Sequence, residues 1–185
     1  GELDAANPAA RDLIINNDTN TEHDFAIDPT AGSSRTFYVA SLDGQMVKLK
    51  QMVEHGSPSE IGSFYVGNDV RAPFIEFDAN SSPKWIYLSL TRGTEAGGFR
   101  SAIQRINAND LSSSTIAGSL SATATFLGTT DDASNPLSGR IAEVKGLALS
   151  TNGDKLYIAE QSQEATDTSL GFGRFGRVRQ LDLAP

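Results

Sequence analysis

Three times along this chain the same grammar returns: a short apolar strand, a polar turn, a stronger strand, a connection, then a strand alternating apolar with long polar residues. The first copy runs through "HDFAIDPTAGSSRTFYVASLDGQMVKLK", His23 to Lys50. The second is "APFIEFDANSSPKWIYLSLTRG", Ala72 to Gly93, continued by "RSAIQRINAND". The third is "KGLALSTNGDKLYIAEQSQ", Lys145 to Gln163, continued by "FGRVRQLDLAP". A period of two residues within each segment is the signature of strands, and its return in a fixed order marks repeated units. The repeat constrains the chain more than any other feature. It predicts an all-β fold of repeat units at about 23–71, 72–140 and 141–185, whether one domain or a fragment of a larger assembly.

Within each unit the middle strand carries a tyrosine (Tyr38, Tyr87, Tyr157) after an aromatic or aliphatic residue. The first strands are expected at Phe25–Asp28, Phe74–Asp78 and Gly146–Ser150. Asn152-Gly153 supplies the positive φ angles of a tight hairpin turn, and "DPTAG" places Pro and Gly in turn positions. "GSFYVGN" (Gly62–Asn68) and "SATATFLG" (Ser121–Gly128) read as outermost strands. Four antiparallel strands repeated about an axis make a propeller blade, so about three four-stranded blades of an incomplete ring are expected. The alternative is a β-sandwich of the same hairpins.

"FAIDP…RTFYVASLDGQMVKLK" and "GLALSTNGDKLYIAE…GRVRQLDL" resemble the blades of six-bladed propellers of the NHL and gluconolactonase-like families. They are also similar to the propellers of PhoX-type alkaline phosphatases and of esterase-like phytases. The resemblance covers the three units, about half the chain. It implies a blade architecture, and it is silent about activity because propellers serve enzymes, receptors and scaffolds alike. A ring needs at least about four blades. The expectation is therefore that a protein partner or a second copy completes the ring, since a partial ring exposes strand edges.

Composition narrows the function classes. The formal net charge is −8 and the pI about 4.7, which disfavours phosphate backbones and anionic lipid, so no nucleic acid is expected as partner. The longest apolar runs, about five residues, are far short of the roughly 20 needed to cross a bilayer, so no membrane insertion is expected. There are no cysteines, which removes disulfides and thiol chemistry. The opening "GELDAANPAARD" lacks the pattern of a secretory leader. Richness in Asn, Ser, Thr and Gly points to an extracellular or periplasmic setting.

Two groups of residues are candidates for chemistry. In propellers with a metal on the axis, carboxylates at inner-strand ends ligate calcium, and Glu22, Asp24, Glu143 and Glu160 lie where strands meet loops. The competing reading is solvated loop carboxylates, because no dedicated calcium-loop pattern occurs. His23 and His55 are the only histidines, and nothing in their spacing brings them together. No nucleophile elbow is present. The Gly-rich loops "GTEAGGF" (Gly93–Phe99) and "GFGRFG" (Gly171–Gly176) occupy the same place in their units, between second and third strands. They make Phe99, Phe172, Arg174 and Phe175 candidates for a partner-contact patch. The single tryptophan, Trp85, is expected inside a buried strand, which weighs against a sugar-binding platform. The function expected is a non-catalytic interaction or structural module of an exported or surface-associated protein. The alternative is a calcium-dependent hydrolase of the lactonase or phosphoesterase kind.

Overall fold

The computed structural model describes residues 23–30, 34–54, 56–94, 98–121, 136–137, 139, 141–163 and 174–183. Every regular element among them is a β-strand. The first sheet contains β1 (His23–Asp28), β2 (Thr36–Asp43), β3 (Met46–Val53) and β4 (Ser59–Tyr65). The second contains β5 (Ile75–Asp78), β6 (Trp85–Thr94), β7 (Gly98–Asn107) and β8 (Ser113–Gly118). The third contains β9 (Glu143–Leu149), β10 (Lys155–Gln163) and β11 (Arg174–Asp182). Each sheet is an antiparallel meander in chain order, and none closes into a barrel.

The registers set the middle-strand tyrosines at equivalent places in the three sheets, although the first ladder of sheet 3 slips between Ala159 and Glu160 where those of sheets 1 and 2 run unbroken. Tyr38 pairs with Ala26 and Gln51, Tyr87 with Glu76 and Arg105, Tyr157 with Ala148 and Gln180. Sheets 1 and 2 even share an irregularity. The ladder slips between Leu49 and Lys50, and at the equivalent step between Ile103 and Gln104. A bulge at a fixed place adds twist to the outer strand and is a built feature of a sheet.

The first strands pack side by side, β1 against β5 and β5 against β9, so successive sheets stack through their inner edges. Between sheets 1 and 2 the core holds Tyr38, Leu49, Val47, Ile75, Phe77 and Leu88. The Tyr38 ring stacks on Phe77 with centroids 5.2 Å apart. Between sheets 2 and 3 it holds Tyr87, Ile103, Ala117, Ile141, Val144 and Leu156. Each fully buried aliphatic or aromatic side chain of this kind contributes about 1.5–3 kcal/mol.

Two expectations need correction. The outermost strand of sheet 2 is Ser113–Gly118, not the expected Ser121–Gly128, of which only Ser121 is described. "SSTIAG" wins because it follows β7 after a short turn, where Leu111 adopts a positive φ of 61° and the chain reverses at once. The third sheet has three strands among the described residues, rather than four.

Candidate functional site

The inner-strand carboxylates act mainly as ties between sheets. Asp24 on β1 accepts the N–H of Ile75 on β5 at 2.9 Å and its neighbour Phe25's N–H at 2.9 Å. Asp28 closes the first strand. It accepts the backbone N–H of Thr30 at 2.8 Å and pairs with Lys84 from the turn of the next sheet at 2.9 Å. Burial pushes the Asp28 carboxyl up, but the hydrogen bonds from Thr30 and Lys84 outweigh burial and hold it below the usual carboxylate range. Asp78, its equivalent in sheet 2, accepts the N–H groups of Asn80 and Ser81. Asn80 in turn donates to the Thr151 carbonyl of sheet 3 at 3.1 Å. The turns are thus laced one to the next along this rim.

Of the four residues proposed as calcium ligands, Glu22 lies outside the described residues. The other three are dispersed. Asp24 is committed to backbone donors, Glu143 pairs with Lys145 at 2.7 Å, and Glu160 stands on the middle strand rather than an inner one. The Glu160 side chain is fully buried; it accepts the Ala142 N–H at 2.7 Å and is ion-paired with Arg179 of β11. Among the described residues no three His, Asp or Glu side chains gather into a set that could hold a metal ion. Glu76 faces Asp24 across the inner edge. Burial first, and the Asp24 charge second, push its carboxyl above the usual range. His23 begins β1, and His55 lies outside the described residues.

The partner-contact candidates separate as well. Phe172 lies outside the described residues, and Arg174 and Phe175 are placed only as backbone positions of β11, opposite Gln163 and Ser162. Phe99 is 5% exposed and sits beneath the Arg71 guanidinium, 5.1 Å from its ring centroid. Its ring is buried at the β6–β7 hairpin beneath Arg71 rather than presented on the surface. Trp85 is half-buried, not enclosed, with the Arg105 guanidinium 4.5 Å above its ring.

Sequence reasoning missed a cleft beside that same hairpin. It encloses about 320 Å³ between the end of β4 and the β6–β7 hairpin, lined by Tyr65, Asn68, Asp69, Arg92, Thr94 and Arg100. Arg92 and Arg100 are directly opposed across β6 and β7 and share a face. Gly67, with φ +103°, leaves room for the Arg92 guanidinium: a Cβ there would lie 2.9 Å from Nη1. Tyr65 is 68% exposed at the edge of the cleft. The available signal was symmetry, since "RGTEAGGFR" sets the two arginines at equal distances from the loop's centre.

The sequence matches no protein-family model, and comparison with curated proteins and with solved structures returns no match.

Proposed function

We propose that this chain is a non-catalytic, propeller-type structural and interaction module, in the setting of an exported or surface-associated protein. Its two terminal sheets would be covered by further sheets of the same build, brought by a protein partner or a second copy. One observation carries this reading. Leu49, Ile103 and Val178 occupy the same position in sheets 1, 2 and 3. The first two are 1% and 0% exposed, because the next sheet lies on them, whereas Val178 is 69% exposed. The opposite end of the stack repeats the pattern. Phe25 and Ile27 stand where Ile75 and Phe77 stand in sheet 2. Ile75 and Phe77 are buried, and Phe25 and Ile27 are 55% and 37% exposed. Apolar side chains at positions that two internal junctions bury are the mark of an interaction surface.

The test is the solution mass of the chain by light scattering, with and without EDTA. An assembly larger than one chain is expected, unchanged by the chelator. A stable monomer over the whole concentration range would sink ring completion. An assembly that dissociates in EDTA would instead favour the calcium-dependent alternative.

A further inference from the structure

The cleft beside the β6–β7 hairpin carries two guanidinium charges that no carboxylate among the described residues neutralises. Arg92 and Arg100 face each other directly across the ladder, and like charges so placed destabilise a sheet. Among the described residues neither guanidinium has a carboxylate within ion-pair range. Arg100 donates to the Ser121 carbonyl at 3.0 Å, and Arg92 lies in the space left by Gly67. The chain has 23 acidic residues against 15 basic ones, so two adjacent arginines that find no acidic partner among the described residues stand against its overall composition. Among the described residues Asp69 is the acidic group lining the cleft, exposed and outside ion-pair range of either arginine.

We infer that this cleft is a docking site for an acidic peptide segment of a partner protein, with two neighbouring carboxylates taken by Arg92 and Arg100 and the chain passing over Tyr65. The inference rests on the reading of the protein as an interaction module and names the chemistry of one partner. Guanidinium forks match carboxylates bidentately, and half-buried ones lose less to solvent than surface lysines do. Tyr and Arg are also the side chains that dominate binding energy at interfaces, and all three stand on paired strands rather than loops. The ligand's charge would cancel the repulsion between the arginines, so binding should stabilise the hairpin.

The probe is a fluorescein-labelled pentapeptide carrying two adjacent aspartates, compared with a twin carrying asparagines there. Fluorescence anisotropy on the intact chain should show saturable binding of the first peptide, at least tenfold weaker binding of the twin, and weakening with added salt. Arg92→Gln and Arg100→Gln should each weaken it tenfold or more, and Arg92→Gln should melt no lower than the wild type, since it removes a like-charge pair without breaking the Arg100 bond to the Ser121 carbonyl. Tyr65→Ser, at an exposed position, should weaken binding with the fold intact. Equal binding of the two peptides, equal binding by the arginine variants, or no saturation by the wild type would overturn the proposal. Light scattering on the same samples separates this from the module reading: loss of peptide binding with assembly unchanged bears on the cleft alone. A monomer that still binds the peptide removes ring completion and leaves the cleft standing.

Discussion

At the scale of single residues, the buried acids divide by whether the fold compensates them. Glu160 is compensated: Arg179 and the Ala142 N–H converge on a side chain with no solvent contact. Removing one member of a buried pair costs about 3–5 kcal/mol. Glu160→Gln should therefore lower unfolding stability by about 3 kcal/mol, read from the denaturant midpoint, at the low end because Arg179 remains 12% exposed. Glu76 is compensated only in part: burial first and the Asp24 charge second disfavour its charge and outweigh the bond from the Phe77 backbone. A carboxyl whose folded pKa is raised costs stability at every pH above that value, and the cost disappears as pH falls through it to the unfolded value near about 4.3. Glu76→Gln should thus raise the melting temperature at pH 7, with the gain vanishing below about pH 4. Equal gains at pH 7 and pH 3.5 would contradict this account. None of these pairings was legible in the sequence. Glu160 and Arg179 are 19 residues apart and meet only because β10 and β11 pair in one register.

At the scale of elements, the order of the strands was largely legible and the turn chemistry only in part: Gly153 has φ +72°, but Asn152 does not share the positive φ expected of the Asn152-Gly153 pair. "TFYVAS", "WIYLSL" and "KLYIAE" all lie in middle strands, extended at their C-terminal ends by two to four residues that the alternation did not mark. The junctions between sheets, by contrast, differ in kind. Leu42 and Val47 pair in sheet 1, and Thr91 and Ser101 take their places in sheet 2. There the two hydroxyls bond each other at 2.8 Å, and Ser101 Oγ also donates to the Ala142 carbonyl. A polar pair in a strand reads as surface, and only the arriving backbone of residues 141–142 buries it. The β6–β7 hairpin depends on a glycine: Gly93 has φ +133°, and a Cβ there would collide with the Gly98 carbonyl and the Phe99 Cα. Gly93→Ala should cost about 1–3 kcal/mol, seen as a lower melting temperature, and should accelerate amide exchange across β6 and β7.

For the whole molecule, equivalent positions separate what a residue is from where it sits. Ile103 and Val178 are the same kind of side chain at the same place in their sheets, one sealed between sheets and one exposed. Ile103→Asp should destabilise the chain by about 4 kcal/mol or more, because an unpaired charge enters a closed junction. Val178→Asp should change the chain's own stability by about 1 kcal/mol or less and yet abolish the association proposed above, measured by light scattering at matched concentrations. Association that survives Val178→Asp would mean that the outer face of sheet 3 is not the surface partners use.

The sequence by itself determined the all-β class, the grouping of the strands into three and the place of the tyrosines in middle strands, because strand periodicity and turn residues act within a few residues of the chain. It also ruled out disulfides through the absence of cysteine. Only the tertiary structure decided which apolar strand faces are covered, which acids find a cation, and that Arg92 and Arg100 share one cleft. Those outcomes depend on how sheets stack and in what register strands pair. Contacts of that kind join residues tens of positions apart, such as Asp24 with Ile75 and Asp28 with Lys84, and no local pattern encodes them.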